Sequence, residues 1–298
     1  MNDCHDEGGK FCEGGGSSGA GSSPRRTGIG PQGSVHTAEK RGKEYGYAKK
    51  LSFYQCTSLD QANEINAQMA ELSDETGLVL ERVYVYKEGG KSKDAPKDAA
   101  GYHQGSVGTI GIRNGVTAAY ALENAPYKPG QQAESARWLR EYADNMEQEH
   151  LSGERAKVDP KLVEAFRYQA KQAEETQDYS AFTVPGNGTR NPTVDHEFAH
   201  ALVDRAVHSE TFRGNYGETR VIVNDRAVVR LNDFGARCRQ NAKTTKFSVY
   251  AATGINNRHW VTQGEPIAET YAYWKSGGLV PDDIQTGLRR LEQYGRAK

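Results

Sequence analysis

The stretch "TVDHEFAHAL", Thr193 to Leu202, places two histidines four residues apart, with a glutamate directly after the first. On a helix, residues with this spacing lie on one face with Cβ atoms about 5–6 Å apart. His196 and His200 could therefore both bind one metal ion at about 2.0–2.1 Å. A helix that buries two histidines must also satisfy their ring nitrogens. We therefore expect a zinc site here rather than two histidines that only form hydrogen bonds.

The residues around this motif favour a helix that is largely buried. Asn191 followed by Pro192 is a typical helix start, since asparagine caps the free N–H groups and proline fits the first turn. Phe198, Ala201 and Leu202 supply apolar side chains on the helix. Glu197 would then lie beside the open face of the metal site, where it can take a proton from water.

A third ligand must come from elsewhere in the chain, because catalytic zinc sites use three protein ligands and leave one position open. Position 206, one possible place for a further histidine, is occupied by Ala206. The later stretch "GEPIAETYAYW" supplies Glu265 and Glu269, one helical turn apart. Pro266 disfavours helical geometry in the residue before it, so Glu265 should lie at or before the helix start.

Three stretches together resemble the gluzincin group of zinc metallopeptidases: "HEFAH", "FSVYAATG" and "EPIAETYAYW". They are most similar to the anthrax-lethal-factor-like branch, whose small relatives are common in phage genomes. In that branch a tyrosine in an S-x-Y-A stretch precedes an E-x-x-A-E helix. The resemblance covers residues 190–275, and the matching positions are Ser248, Tyr250, Ala251, Glu265, Ala268 and Glu269.

This resemblance implies a ligand set and a role for each residue. Glu265 would bind zinc together with His196 and His200, and Glu269 would orient a ligating histidine. Glu197 would be the general base, and Tyr250 would stabilise the developing oxyanion. The stretch between Tyr250 and Glu265 is longer here than in the family. One alternative stays open, in which Thr262 and Glu265 form a capping box and Glu269 is the ligand.

The family also implies a fold, namely an α+β, zincin-like domain with a small mixed sheet over the active-site helix. We assign residues 1–40 to a disordered Gly/Ser-rich tail and residues 41–298 to the metallopeptidase domain. Such a tail has too few apolar side chains to offset its ordering entropy. Cys4, His5 and Cys12 could form a metal knuckle, but we favour a flexible tail with incidental thiols.

Several elements of the domain can be predicted from patterns. Ser58 or Thr57 can cap a helix that ends at Gly77, and "LVLERVYVY" is typical of a strand. "SVGTIGIRN" predicts an edge strand, or one closely approached by another group. Its part "VGTIGI" would pair with extended substrate. "SAFTV" predicts a short strand, residues 220–240 should be mostly helical, and residues 245–264 should form a loop.

Residues 131–176 predict a helical-hairpin insertion. Trp138, Leu139, Tyr142 and Met146 mark the apolar face of its first helix. Asp159 and Pro160 supply the cap and first turn of the second helix.

Composition limits the partners. The formal net charge is −1, which favours neither nucleic acid nor a membrane surface. The basic residues Arg25 and Arg26, and those at 40–50, are expected to be solvated. No apolar run approaches the roughly 18–20 residues of a membrane span, and the N-terminus has no apolar segment typical of a secretion signal. Four scattered cysteines indicate a cytoplasmic setting, that is, host cytoplasm or a virion if the chain is phage-encoded.

We therefore expect a zinc-dependent endopeptidase, of phage origin, that hydrolyses a protein or peptide substrate. The alternatives are a non-catalytic head- or virion-associated structural protein that retains the zinc-binding fold, and a DNA-binding module. The remaining candidates are assigned structural or surface positions. His208 should lie on the surface at a helix end, His259 should be exposed, and Cys238 should be a buried thiol.

Overall fold

The computed structural model describes residues 28–87, 99–104, 108–124, 130–152, 159–179, 181, 183–213, 219–253, 261 and 263–296. The predicted knuckle of Cys4, His5 and Cys12 lies outside the described residues, as do His259 and Thr262.

The described chain is a mixed α+β structure, as the sequence predicted. Its elements, in chain order, are α1 (Val35–Tyr45), β1 (Ala48–Ser52), α2 (Leu59–Thr76), β2 (Leu80–Tyr86), β3 (Gly101–Gln104), β4 (Thr109–Arg113), α3 (Ala118–Asn124), α4 (Gln131–Leu151), α5 (Pro160–Glu175), α6 (Pro192–Val207), β5 (His208–Arg213), β6 (Thr219–Val223), α7 (Asp225–Thr245), α8 (Val249–Thr253), α9 (Gly264–Lys275) and α10 (Asp282–Arg296).

A small four-stranded mixed sheet has the strand order β1-β2-β4-β3. Strands β1, β2 and β4 are parallel, and β3 runs antiparallel to β4. Strand β4 therefore lies inside the sheet, and the prediction that "VGTIGI" forms an edge was wrong. The edge on this side of the sheet is β3, for which the sequence predicted no strand. The glycine in β4 does mark a close approach, because a Cβ at Gly111 would lie 2.5 Å from the Tyr102 ring.

Helix α1 begins inside the segment that we assigned to the disordered tail, so that assignment extends too far. Ser34 caps the helix, and Ser34 and Thr37 form a reciprocal capping box. Ala38 is fully buried, and Asn66 of α2 donates a hydrogen bond to its carbonyl oxygen. The helix is thus ordered by its caps and by the burial of Ala38 and Tyr45.

The main core lies between the sheet and helices α2, α6, α9 and α10. Ser58 caps α2 and Gly77 ends it in the left-handed conformation, as expected. Ile65, Met69 and Leu72 on α2 are fully buried. Strand β2 contributes Val83 to the same core. The buried side chains fall at helical and strand periodicities, and this agreement explains why these elements were predictable.

Helices α4 and α5 form the predicted hairpin, with Asp159 capping α5. They pack on each other and have few contacts with the rest of the described chain. The predicted apolar face of α4 is only partly correct. Met146 is buried, but Trp138 is 57% exposed and Tyr142 is 38% exposed. Small residues, Ala136 and Ala143, line the buried side of α4 and leave its large aromatic rings outside.

Three further expectations changed. Residues 219–223 form strand β6 rather than helix, while α7 begins at Asp225 with Asn224 as its cap. Of "SAFTV", the described part forms only an isolated bridge at Ala181. The predicted loop at 245–264 contains the last residue of α7, the short helix α8 and the first residue of α9. Within the described residues, none of the helices combines the length and the apolar character needed to span a membrane.

Candidate metal centre

Helix α6 is held at its start by several buried polar contacts. Asn191 is fully buried, and its side chain accepts a hydrogen bond from the backbone N–H of Thr193. The Gln68 amide of α2 pairs with both the N–H and the carbonyl of Asn191, at 3.0 Å each. Arg190 donates two hydrogen bonds to the buried Asp195 carboxylate. These contacts fix where the following histidines lie relative to α2.

Two helices bring three metal-binding side chains together. His196 and His200 lie on α6, and Glu265 lies in the first turn of α9. The two histidine Nε2 atoms are 3.1 Å apart. Glu265 Oε2 lies 3.3 Å from His196 Nε2 and 3.2 Å from His200 Nε2. These three residues form a group that could hold a metal ion.

The spacing of these donor atoms fits a metal site. Four ligands at about 2.0–2.1 Å in a tetrahedron lie about 3.3 Å from one another, close to the separations observed. The two imidazole nitrogens and the carboxylate oxygen all point at one another. Their lone pairs repel unless a cation or a proton lies between them. The residues present therefore fit a metal such as zinc, with one position left open to the cleft.

Glu269 lies one turn deeper on α9 and contacts the other side of the His196 ring. Its Oε1 atom is 3.0 Å from His196 Nδ1. Its Oε2 atom accepts hydrogen bonds from the Ser248 hydroxyl, at 2.7 Å, and from the Val184 N–H, at 3.0 Å. A carboxylate held in this way fixes the orientation and tautomer of the ring.

Among the described residues, Glu265 does not act as a cap of α9. Gln263 occupies the cap position without a side-chain cap hydrogen bond. Glu265 instead points to the two histidines, and it is Glu265, not Glu269, that belongs to the group of possible ligands. The expectation that Glu265 lies at the helix start is confirmed, since α9 begins at Gly264.

Burial and charge act on this cluster in opposite directions. Burial lowers the pKa of His196, but hydrogen bonds to Glu265 and Glu269 outweigh it and leave this pKa well above its usual value. The pKa of His200 is raised for a similar reason, through Glu265. Burial raises the pKa of Glu265, yet the charge of His200 and the hydrogen bonds of both histidines hold it well below its usual range. The site thus strongly favours a positive charge between these three groups.

Glu197 is buried directly beneath the edge strand. A Cβ placed on Gly101 of β3 would lie 2.9 Å from Glu197 Oε1 and 2.6 Å from Thr193 Cγ2. Only glycine lets the strand pass this close to the helix. Burial raises the pKa of Glu197, although the charges of His196 and His200 oppose this effect. The carboxylate is therefore poised to accept a proton more readily than an exposed glutamate.

Tyr250 lies on the opposite side of the site, on α8. Its ring centroid is 6.2 Å from that of His196. Burial and the neighbouring carboxylates, Glu265 first, raise the pKa of Tyr250, and its hydroxyl hydrogen-bonds Glu265. The phenol therefore stays protonated and can act as a donor. The longer stretch between Tyr250 and Glu265 does not separate the two residues in space.

Sequence reasoning missed a second pair in the site, His103 and Asp204. His103 lies on β3, and its ring stacks on that of His200 with centroids 6.2 Å apart. Its Nδ1 atom is 3.6 Å from Asp204 Oδ2. Asp204 follows His200 by four residues on α6, a spacing that could have indicated it. His103 lies almost one hundred residues earlier, and no local pattern indicates its position.

The other residues singled out in the sequence lie away from this cluster. His208 ends α6 and begins β5, and it is half-buried rather than on the surface as expected. Cys238 is fully buried, as expected, and burial raises the pKa of its thiol to about 12. A reactive thiol would require a lowered pKa, so Cys238 is structural.

The cluster opens into a cleft of about 550 Å³ between β3, α3, α6 and α9. His196, Glu197, His200, Tyr250 and Glu265 all line it. Compared with known proteins, the chain matches no protein-family model, no curated protein and no solved structure. Function must therefore be inferred from the geometry of the site.

Proposed function

We propose that this protein is a zinc-dependent endopeptidase of the zincin type, related to the gluzincin group. The observation that carries the proposal is the placement of Glu197 beside three converging donor atoms in an open cleft. A purely structural zinc site has four protein ligands and no open position. Here three ligands, a buried carboxylate and a phenol surround space that could admit a substrate.

Zinc is the ion that we assign to the site. Two imidazoles and one carboxylate in a tetrahedral spacing are a ligand set of catalytic zinc. A zinc ion held by His196, His200 and Glu265 would supply Lewis acidity, which polarises a carbonyl group and brings the ionisation of water toward neutral pH. Glu269 would hold the His196 ring in position.

The protein's own residues would then move the protons. Glu197 takes the proton of the attacking water and passes it to the leaving amine, so that one carboxylate serves both halves of the reaction. Tyr250 donates its hydroxyl hydrogen bond to the carbonyl oxygen as negative charge develops there. Glu197 is buried and Tyr250 is half-buried, which strengthens their electrostatic effect.

The substrate would bind as an additional strand. We place it on the free side of β3, not on β4 as the sequence suggested, because β4 is covered by β2 and β3. Among the described residues no strand pairs with that side of β3. Backbone hydrogen bonds there would hold an extended peptide beside Glu197 with little demand on its sequence. The substrate is therefore a protein or peptide.

The family resemblance supports a phage source, in which case the protein would act in the host cytoplasm or in a virion. The main competing interpretation, a structural protein that keeps the zinc-binding fold, predicts bound metal without hydrolysis. A DNA-binding module predicts salt-sensitive binding to DNA. Each interpretation gives a different result in the same purified sample.

Replacing Glu197 by Gln tests the proposal. The Glu197→Gln protein should retain a full equivalent of zinc but lose peptide hydrolysis by at least about 100-fold, since general-base catalysis typically contributes 10²–10⁴-fold. Metal content and cleavage of a fluorescent casein are measured on the same preparation. Glu141→Gln, on the exposed face of the helical hairpin, is the matched control and should leave both unchanged. Hydrolysis at the wild-type rate by Glu197→Gln would remove the general-base role.

A further inference from the structure

One end of the cleft carries a positive charge. Arg113, the last residue of β4, lines the cleft together with Tyr120 of α3 and with Thr193 and Glu197 of α6. Apart from Arg113, the titratable side chains that line it are histidines, tyrosines and the carboxylates of Glu197, Glu265 and Glu269. Arg113 is the one lysine or arginine among the described lining residues. The cleft thus combines the carboxylates of the metal centre with a single guanidinium.

The Arg113 guanidinium is held in place by a neutral partner. It donates a hydrogen bond from Nη2 to the Tyr120 hydroxyl, at 2.9 Å, and lies 5.7 Å from the centroid of that ring. No carboxylate within the described chain approaches it to salt-bridge distance. An arginine has five N–H donors, and its planar fork matches a carboxylate. With respect to the described residues, most of its donors therefore remain for a ligand in the cleft.

The backbone of Arg113 is also fixed. Its N–H donates to the carbonyl of Ala100, at 2.8 Å, and its carbonyl accepts from the Gln61 side chain, at 2.7 Å. Gln61 is fully buried. A cation on a rigid strand end that already has one side-chain partner loses little entropy when it binds a ligand.

The charge lies close to the expected position of the reacting bond. Arg113 pairs through its backbone with Ala100, and the next residue, Gly101, passes directly over Glu197. A peptide on the free side of β3 advances about 3.3 Å per residue. The substrate residue near Arg113 therefore lies within about two positions of the one beside Glu197.

We propose that Arg113 selects substrates that carry a carboxylate near the cleaved bond. This inference rests on the proposed peptidase function and names its substrate class. The carboxylate could be an aspartate or glutamate side chain, or the free C-terminus of the peptide. Both present the same bidentate acceptor to the guanidinium.

Peptide pairs that differ in one charge test the inference. In the first set, both termini are blocked, and one member of each pair carries Glu where the other carries Gln, at one position around the cleaved bond. A second set compares a free C-terminal carboxylate with its amide. At one position the wild-type protein should cleave the acidic member with a kcat/KM about 10- to 100-fold higher, the range of one charge-assisted hydrogen-bond pair. The set that shows the difference identifies the source of the carboxylate.

Variants of Arg113 assign the preference to that residue. Arg113→Gln should abolish the preference, Arg113→Glu should reverse it toward a lysine-bearing peptide, and Arg113→Lys should restore part of it. Arg82→Gln is the control, because Arg82 is an exposed arginine of β2 that lies over the Tyr84 ring instead of lining the cleft. A wild-type preference that survives in Arg113→Glu, or the lack of any preference, would overturn the inference and leave the peptidase function standing.

A binding measurement separates this inference from the proposed function. The zinc-loaded Glu197→Gln protein is titrated with the same fluorescent peptides, with and without Arg113→Gln. If the wild-type protein cleaves no peptide, the proposed function is wrong. The acidic peptides should even then bind about 10-fold or more tightly than their neutral partners, and only while Arg113 is present. Equal affinities within every pair would overturn the inference, whether or not the wild-type protein cleaves peptides.

Discussion

The metal-bearing helices α6 and α9 differ sharply from the helical hairpin of α4 and α5. Of the 16 residues in α6, 12 are buried, and of the 12 in α9, 9 are buried. Helix α4 buries 4 of 21 residues, and α5 buries 2 of 16. All four helices were predicted from the sequence, yet only α6 and α9 lie within the main core. A sequence pattern therefore indicates that a helix exists, but not how much of it is buried.

The difference has a physical basis in what covers each helix. Helix α6 packs against α2, α9, α10 and the sheet, so that its polar side chains point into buried sites with specific partners. The hairpin has a separate small cluster of Ala143, Met146 and Val163. Its exposed ion pairs, such as Arg167 with Asp144 and Glu147, contribute little to stability because solvent screens them. We expect rigidity at the metal centre and local opening in the hairpin.

The largest effect should come from removing a ligand at the metal centre. Glu265→Ala should be purified with little or no zinc, because two histidines alone cannot complete the site. Glu269→Ala should retain zinc with an affinity about 10–100-fold lower, the usual effect of losing a partner of a ligating histidine. Titration with a competing chelator measures both variants. Loss of zinc only in Glu269→Ala would interchange the two assignments.

The second effect concerns the core beneath the metal centre. Phe198 on α6 is fully buried. Phe198→Ala should lower the free energy of unfolding by about 3–5 kcal/mol, the usual range for a buried phenylalanine that leaves a cavity. Denaturant unfolding of the zinc-free protein gives the value without the contribution of the metal. A loss below about 1 kcal/mol would mean that α6 is not part of the main core.

The hairpin should open before the rest of the protein. Amide hydrogens of α4 and α5 should exchange with lower opening free energies than those of α6, because so few of the hairpin's residues are buried. Met146→Ala should increase exchange in the hairpin and leave exchange in α6 and zinc affinity unchanged. Equal protection of both regions would contradict the comparison. Hydrogen exchange read by mass spectrometry resolves the two regions.

The smallest effect is expected for an aromatic residue on the hairpin surface. Trp138 is 57% exposed and stacks on Tyr142, with ring centroids 5.3 Å apart. Trp138→Ser should change the free energy of unfolding by no more than about 1 kcal/mol, since a pair of this kind contributes about 0.5–1.5 kcal/mol beyond its buried area and half of this ring is already solvated. Thermal unfolding of Trp138→Ser and of Phe198→Ala, measured under the same conditions, compares the stability lost at the hairpin surface with that lost in the main core.

Prediction from sequence succeeded where local chemistry decides the structure. The caps Ser58, Asp159 and Asn191 all begin helices as expected. It was wrong for α1, where Ala38 is buried and its carbonyl oxygen accepts a hydrogen bond from Asn66 of α2. It was also wrong for β6, which was predicted as helix but forms a strand that pairs with β5. In both cases a contact with another segment decided the structure.

The sequence by itself determined the centre of the candidate site. A helix places His196 and His200 on one face whatever surrounds it, and the stretch that carries Glu265 could be recognised from its motif. Only the tertiary structure decided what covers that centre. Gly101 over Glu197, His103 on His200, and Arg113 at the end of the cleft all depend on the order and register of the sheet. A shift of one residue in β3 would turn Gly101 and His103 away from α6, and no local pattern fixes that register.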